Sequence, residues 1–284
     1  MTDPPRLVVN ADDFGLSTGV NRGILEAHAA GVVSSVSVLV NAPGWTDALR
    51  RLRDLGPAPA PAPGLGVGLH LNLTMGRPVS WGGSLSDART GRFHTFPVLV
   101  ARACAGRLDP GDVAIECAAQ LARLRNAGLV VTHLDSHRHV HVLPGVWSAV
   151  VETARAAGVP VLRVPLEPWS VNPVNWRASL KKAALRVALG VAARGAAALD
   201  RPDRFVGISL QGSRSFLARL LAVLDRLEPG TTELMVHPGY ADGDLAAWDD
   251  YTAPRARELA ALTRPEVRER FRGARFRLIH FGAL

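Results

Sequence analysis

The residues Leu7-Val-Val-Asn-Ala-Asp-Asp-Phe-Gly15 join a short apolar run to two adjacent carboxylates and a glycine. The apolar part, Leu7–Asn10, predicts a strand that is covered on both faces, as in a parallel sheet flanked by helices. A helical pattern, Gly19–Ala30, follows directly. Because a strand that leads into a helix is the first half of a βαβ unit, this stretch predicts an α/β fold.

The same alternation of strand and helix continues along the chain. Further strands are predicted at Ser35–Asn41, Gly66–Leu71, Val130–Leu134, Val159–Val164, Phe205–Leu210, Glu233–Val236 and Arg277–Phe281. Further helices are predicted at Gly44–Leu55, Pro110–Ala127, Pro144–Ala157, Trp176–Leu199, Ser213–Leu227 and Pro254–Phe271. The pattern is compatible with an open doubly wound sheet, but about eight strand–helix repeats favour an irregular (β/α) TIM-like barrel. We therefore predict one domain, residues 1–284.

Three segments depart from a regular alternation. Pro57–Pro63 alternates proline with alanine and predicts a stiff, solvated connector. Residues 75–108 have no clear period and predict a long loop insertion after the third strand, which would form a wall or lid over a pocket. The segment 176–199 is expected to be an added helix.

The charge of the chain does not indicate a nucleic-acid partner. The formal net charge is +8, but the arginines are scattered and no aromatic-plus-basic motif accompanies them. We interpret the charge as a solvated surface and expect no nucleic acid to bind. The chain also lacks G-x-G-x-x-G after the first strand and lacks a P-loop motif, so nucleotide binding has no support.

The chain is expected to be cytoplasmic. No apolar run reaches the roughly 20 residues that span a bilayer, and the N-terminus has no basic head followed by a long apolar stretch. The two cysteines, Cys104 and Cys117, match neither a zinc-ribbon spacing nor a disulfide framework. We interpret both as reduced, structural residues.

Polar residues cluster where the predicted strands end. Because the C-terminal ends of parallel strands converge on one face, side chains from five separate segments can meet in one pocket there. The segments contribute Asn10, Asp12 and Asp13; His70; the run Thr132–His141; Arg163; and His237. The sequence therefore predicts a single site at this end of the fold.

Asp12 and Asp13 can share that site only under one condition. Adjacent side chains of a regular strand point to opposite faces, so both carboxylates reach one pocket only if the chain leaves the strand there. Gly15 and Ser17 make such a departure plausible. The alternative is that the aspartates belong to a turn or cap the following helix.

The run Thr132-His-Leu-Asp-Ser-His-Arg-His-Val-His141 is the strongest single signal. His133, Asp135, His137, His139 and His141 share one parity, so an extended backbone would place them on one face. Burying such a cluster without partners would be costly, so the run predicts metal binding or catalysis. Five such groups cannot all bind one ion, and the remainder must orient ligands, contact substrate or turn away.

The other two histidines are weaker signals when each is taken alone. His70 lies among apolar residues, so it could equally be a hydrogen-bonded core histidine. His237 is followed by Pro-Gly directly after a strand, which would aim the ring outward, although Pro-Gly also marks ordinary turns.

Four motifs together resemble one known family. They are Val9-Asn-Ala-Asp-Asp-Phe-Gly15, Gly68-Leu-His70, Thr132–His141 and His237-Pro238. In this order they resemble the YdjC-like carbohydrate deacetylases, which include the chito-oligosaccharide deacetylases and the hopanoid-biosynthesis-associated members. The resemblance implies an irregular (β/α) barrel that hydrolyses the N-acetyl group of amino sugars with a divalent metal ion.

The resemblance also implies roles for individual residues. Asp13, His70 and His137 would be the metal ligands, Asp12 the general base and His237 the general acid. Substrate contacts are expected from Arg163, Asn10 and Asn41. Support of the ligands from an outer shell is expected from Asp135, His139 and His141.

The ligand set and the chemistry agree with each other. Two imidazoles and one carboxylate leave coordination positions open for water and substrate. We expect one divalent ion, magnesium or zinc or another transition metal. The expected substrate is an N-acetylated sugar or glycolipid, and a homodimer is the expected assembly if the chain associates.

Two other classes of function stay open, one enzymatic and one non-catalytic. A metal-dependent phosphoesterase or a sugar isomerase could use the same barrel, although a phosphoesterase more often needs two metals and a basic phosphate clamp. A membrane-surface contact could come from the helix 176–199, which carries Lys181, Lys182, Arg186 and Arg194 among apolar residues. An ordinary amphipathic helix that packs on the barrel is the favoured interpretation of that segment.

Overall fold

The computed structural model describes residues 3–55, 64–171, 175–192, 199–273 and 275–284. The strands are β1 Arg6–Phe14, β2 Ser35–Val38, β3 Gly66–Leu71, β4 Ser86–Asp87, β5 Arg92–Phe93, β6 Val131–Ser136, β7 Val161–Leu162, β8 Arg204–Val206, β9 Thr231–Val236 and β10 Arg277–Leu278. The helices are α1 Thr18–Ala29, α2 Trp45–Asp54, α3 Phe96–Cys104, α4 Pro110–Asn126, α5 Trp147–Ala156, α6 Trp176–Ala192, α7 Phe216–Leu224, α8 Gly243–Trp248, α9 Ala253–Leu262 and α10 Pro265–Arg272. Short 3-10 helices lie at Gly83–Leu85, His137–Val142 and Phe281–Ala283.

Eight strands form one parallel sheet in the order β7-β6-β3-β2-β1-β9-β8, with β10 beside the start of β1. Val161 of β7 forms an isolated parallel bridge with Asp200, which precedes β8 in the chain. In the described part of the chain β7 and β8 do not pair with each other, so the sheet is an incomplete barrel. The predicted α/β class with a parallel sheet is confirmed, and each predicted strand corresponds to a strand of this sheet.

The two faces of β1 have different surroundings. Leu7, Val9 and Ala11 belong to the main apolar core, between the sheet and the helices. Val8 points the other way and packs with residues of β7 and of the C-terminal segment in a small separate cluster. By the strand period of two, Asn10 and Asp12 continue the side of Val8. The interior of the barrel is therefore apolar at its N-terminal end and polar above it.

Local chemistry accounts for two helix boundaries. Ser17 begins α1, because its side chain accepts a hydrogen bond from the backbone N–H of Val20. The helix predicted at Pro254–Phe271 is two helices, because Arg264 is extended ahead of Pro265 (φ −63°, ψ 143°). Proline disfavours a helical conformation in the residue before it, so α9 ends and α10 begins there.

The long loop insertion predicted at 75–108 is not confirmed as such. The segment contains a 3-10 helix, the antiparallel hairpin β4–β5 and the helix α3. Leu85, Phe93 and Leu99 of this segment are buried in the main core. The absence of a clear period therefore reflects several short elements in succession. The predicted connector Pro57–Pro63 lies outside the described residues.

The added helix predicted at 176–199 is described from Trp176 to Ala192, and residues 193–198 lie outside the described part. One side of α6 buries Ala178, Lys182, Leu185 and Leu189. The opposite side leaves Trp176, Leu180, Val187 and Val191 exposed. The helix therefore packs on the protein along one face, and contact of its other face with a membrane stays a prediction. Among the described residues, no helix is both long and apolar enough to cross a bilayer.

Candidate active site

Strand β1 becomes irregular where its two carboxylates lie. The pairing of β1 with β2 slips by one residue between Ala11 and Phe14, and Asp13 has a left-handed backbone with φ 70°. Asp12 keeps the inward direction of the strand, while the turn at Asp13 brings the second carboxylate to the same cavity. The predicted departure from the strand is wrong, because β1 continues to Phe14, and an irregularity within the strand brings the two carboxylates together instead. The cap of the following helix is Ser17, so the alternative helix-cap role for the aspartates is wrong.

Asp13, His70 and His137 form a buried cluster at the base of the cavity. Asp13 Oδ1 lies 3.2 Å from Nε2 of His70 and 2.9 Å from Nδ1 of His137. One potential ligand atom from each residue lies within 4.8 Å of the others. Two imidazole nitrogens and a carboxylate oxygen at this spacing fit one divalent ion.

His70 is held from behind by Asp135. Its Nδ1 lies 2.6 Å from Asp135 Oδ1, which turns Nε2 toward the cavity. Burial opposes a charged ring, but the carboxylates of Asp135 and Asp13 raise the pKa of His70 to about 10. Burial also opposes a charged Asp135, yet Arg163 and His70 hold the pKa of that carboxyl well below its usual range. Asp135 is therefore paired both with His70 and with Arg163.

The second carboxylate oxygen of Asp13 accepts a hydrogen bond from a residue that the sequence did not indicate. Arg255 of α9 donates from Nη2 to Asp13 Oδ2 over 2.6 Å, and the same nitrogen lies 2.6 Å from Asp249 Oδ2. Against the effect of burial, Arg255 and His137 lower the pKa of Asp13 well below its ordinary value. Nothing in the sequence distinguished Arg255 from the other scattered arginines.

Arg163 lies beneath Asp12 and not among the side chains that line the cavity. It binds the Asp12 carboxylate with both terminal nitrogens, at 2.6 and 2.7 Å. Its Nη1 also lies 2.8 Å from Asp135, and its Nε donates to Glu233 over 2.6 Å. Burial raises the pKa of Glu233 to about 7. Asn10 lies in the same layer and donates to Asp12 over 2.8 Å.

Residues 133–141 share one face only as far as Ser136, because the extended backbone on which that prediction depended ends there. The strand ends there, and Arg138 and His139 adopt left-handed conformations with φ 56° and 57°. His139 lines the cavity, whereas His141 turns back to contact Ser136 and the carbonyl oxygen of Arg163. Side-chain parity therefore stops predicting direction where the backbone turns.

His133 stays within the strand and is a structural residue. Its ring stacks on Phe281 with centroids 4.0 Å apart, and its nitrogens contact the hydroxyls of Thr132 and Ser37. Burial lowers its pKa to about 3, so the ring is neutral. A Cβ atom at Gly68 would lie 2.4 Å from this ring, which explains why a glycine stands there.

The cavity above the cluster has a volume of about 300 Å³. His237 lies at its edge, with Nε2 3.9 Å from Asp12 Oδ2. Burial lowers the pKa of His237 to about 4. Its backbone N–H donates to Glu258 over 2.6 Å, and Tyr251 donates to the same carboxyl. The lining residues are Asp12, Asp13, His70, Phe96, His137, Arg138, His139, Lys181, Gln211, Met235, His237, Asp249, Tyr251 and Arg255.

The structure separates the predicted site residues into those at the cavity and those outside it. Asn41 lies outside, where it donates to the carbonyl of Arg77 and accepts from Asn72. Several lining residues were not predicted as site residues, including Lys181 and Gln211. These residues come from α6 and from the segment after β8, which carry no motif of their own.

Comparison with known proteins places the chain among related sequences. The profile of the family described as "YdjC-like protein" matches residues 6–273. A carbohydrate deacetylase of Geobacillus stearothermophilus is 35% identical over 270 residues, which cover 93% of this chain and 91% of that protein. A chitooligosaccharide deacetylase of Yersinia pestis is 34% identical over 283 residues and is covered to 97%, as is this chain. The similarity therefore extends over both the sheet and the cavity.

One solved structure is similar along the whole chain. It is a protein of Enterococcus faecalis that is provisionally named for cellobiose-phosphate cleavage. The two chains share 26% sequence identity and superpose with a TM-score of 0.74, over 100% of this chain and 99% of that one.

Proposed function

The chain belongs to the YdjC-like family, and from that premise we propose that it is a metal-dependent hydrolase that removes the N-acetyl group from an amino sugar. The resemblance stated from the motifs and the predicted class of enzyme, a carbohydrate deacetylase, are confirmed by relatives at 34–35% identity. The metal dependence and the amino-sugar substrate, free or carried on a lipid, are part of the proposal. The observation that carries it is the cluster of Asp13, His70 and His137 beside Asp12 in one buried cavity.

The donor set of the cluster fits one divalent ion. Asp13 would offer Oδ1, His70 Nε2 and His137 Nδ1, because the other oxygen of Asp13 and the other nitrogen of His70 are bonded to Arg255 and Asp135. A divalent ion such as magnesium or zinc supplies Lewis-acid chemistry, polarising an amide carbonyl and lowering the pKa of water.

Asp12 would act as the general base. Arg163 holds its carboxylate in a fixed orientation through two hydrogen bonds, and Asp12 faces the cavity beside the cluster. A carboxylate placed in this way can accept the proton of the water that attacks the acetyl carbonyl.

The departing amine needs a proton, and His237 lies where it could deliver one. Its Nε2 is 3.9 Å from Asp12 Oδ2, so a neutral ring can receive the proton that Asp12 takes from water. His237 would then act as a general acid only after this uptake, which is compatible with its lowered pKa.

A two-metal phosphoesterase is the less favoured alternative. The second group of potential ligands in the described part of the chain, Asp12, His70 and Asp135, shares His70 with the first. Both of its carboxylates also bond to Arg163. These contacts leave no second complete ligand set among the described residues.

The proposal is tested by the product released. Protein loaded with zinc or magnesium is incubated with N-acetylglucosamine oligomers and, separately, with a generic phosphomonoester. We expect acetate from the oligomers and no phosphate from the ester. Phosphate without acetate would contradict the proposed deacetylation and favour the alternative.

A further inference from the structure

Lysine is almost absent from this chain. The sequence contains 33 lysines and arginines together, and only Lys181 and Lys182 are lysines. The two residues are adjacent on α6. An ammonium group is a compact charge with three donors, whereas guanidinium is planar and larger. The contacts of the two ammonium groups differ, and each is described in turn.

Lys182 has a complete set of acceptors. Its Nζ lies 2.8 Å from Glu167 Oε2, and it donates to the carbonyl oxygens of Pro168 and Val171 over 3.0 and 2.6 Å. The side chain is buried. Three donors meet three acceptors, so Lys182 stabilises the loop before α6 and has no capacity for a ligand.

Lys181 has a different environment. Its Nζ donates to Gln211 Oε1 over 2.9 Å, and no carboxylate of the described residues lies within 4.0 Å of it. Lys181 and Gln211 both line the cavity, together with Asp12 and His237. In the described part of the chain, two of the three N–H donors of Lys181 are therefore left for another partner.

The position of Lys181 at the cavity also lowers the pKa of its ammonium group. Burial lowers its pKa to about 8, although Asp12 and Glu167 act in the opposite direction. The group is still mainly an ammonium at neutral pH. Lys181 is only partly buried, so acceptor atoms of a ligand would replace solvent at the donors that no described protein atom occupies.

We propose that Lys181 is a substrate-contacting residue whose ammonium donates hydrogen bonds to oxygen atoms of the acetylated sugar bound in the cavity. The inference rests on the proposed function and assigns a recognition role to α6, which none of the site motifs includes. Hydroxyl and ring oxygens of a sugar are acceptors that suit an ammonium donor. Gln211 accepts one hydrogen bond from Nζ and so holds it at the cavity wall, which leaves the other two donors for the sugar.

The first test compares three variants in the acetate-release assay. Lys181→Met is expected to lower kcat/KM at pH 7 at least tenfold, mainly through KM. Lys181→Arg keeps a charge that does not titrate, so it should move the alkaline fall of kcat/KM from about pH 8 to higher pH. Arg177→Met changes an exposed residue of the same helix and should leave kcat/KM unchanged. An unchanged kcat/KM in Lys181→Met would overturn the proposal.

The second test does not depend on turnover. Protein labelled with ¹³C-lysine should give two Cε resonances, which Lys181→Arg assigns. Addition of an N-acetylglucosamine oligomer to the zinc-loaded Asp12→Asn variant should shift the resonance of Lys181 and not that of Lys182. If the wild-type enzyme releases acetate and neither resonance moves, the role of Lys181 is wrong while the proposed function stands. If no acetate is released, the proposed function fails, and the role of Lys181 fails with it.

Discussion

Arg255 donates from Nη2 to Oδ2 of Asp13 over 2.6 Å, and this contact leaves Oδ1 of Asp13 to face His70 and His137. The two partners are 242 residues apart in the chain and are both almost fully buried. A helix near the C-terminus therefore orients a potential metal ligand on the first strand. The pair links the stability of α9 to the geometry of the cavity.

Arg255→Met should lower the free energy of unfolding by about 3–5 kcal/mol, because it leaves the buried carboxylates of Asp13 and Asp249 without their cation. Urea denaturation of the metal-free protein measures the effect. Arg257→Met is a matched control on the same helix, since Arg257 is exposed, and should change the free energy by less than about 0.5 kcal/mol. Equal effects of the two substitutions would show that the contact with Asp13 does not contribute.

Asp12→Asn should reduce turnover by roughly 10²–10⁴-fold, because the general base is lost. The bound metal should persist, since Asp12 is not part of the cluster of Asp13, His70 and His137. Acetate release and metal analysis of the same preparation measure the two effects separately. Full activity would exclude Asp12 as the base, and loss of the ion would place it among the ligands.

Removal of the metal ion by a chelator should abolish acetate release, and adding back zinc or magnesium should restore it. His137→Ala should lower the metal content, because one of three ligands is missing. His28→Ala is the control, since His28 lies on α1 outside the cavity. Stoichiometric metal in the His137 variant would remove this residue from the ligand set.

The stability of the protein should depend on the ionisation of Glu258. Burial raises the pKa of this carboxyl from 4.5 to about 7. Between these pH values the folded state binds more protons than the unfolded state, so this group makes stability fall as pH rises from about 4.5 to about 7.

Glu258→Gln removes that contribution, because the amide does not titrate. As pH rises from 4.5 to 7, the free energy of unfolding of the variant should increase relative to that of the wild type by on the order of 3 kcal/mol, at about 1.4 kcal/mol per pKa unit. Urea midpoints at a series of pH values measure the difference. Glu269→Gln is the control at an exposed position of α10, and its urea midpoints should depend on pH as those of the wild type do. A parallel curve for Glu258→Gln would mean that the pKa of Glu258 is the same in the folded and unfolded states.

Strand periodicity was sufficient to predict much of the polar layer. Asp12, His70 and Asp135 lie on the inward side of their strands at the predicted end of the sheet, because direction alternates regularly as long as the backbone is extended. The same rule fails after Ser136, where left-handed residues turn the chain. Left-handed φ angles at Arg138 and His139 depend on surrounding contacts, and no local residue preference indicated them.

The supporting residues could not be predicted for another reason. Arg163 was expected to contact substrate, and it instead lies beneath Asp12 because three carboxyl groups surround its guanidinium. Arg255 and Lys181 come from helices whose sequence patterns do not indicate a place in the cavity. Which arginine among many is buried depends on the carboxylates it meets after folding.

The sequence by itself determined the alternation of strands and helices, the end of the sheet where the site lies, and the family. These features are local, because they follow from hydrophobic period and from motifs of a few adjacent residues. Only the tertiary structure decided how the carboxylates are paired and which side chains line the cavity. The contacts that join Asp13 to His137, Asp12 to Arg163 and Asp13 to Arg255 span 124, 151 and 242 residues. Such pairings depend on the bulge in β1, the turn after β6 and the position of α9, and these exist only once the sheet has formed.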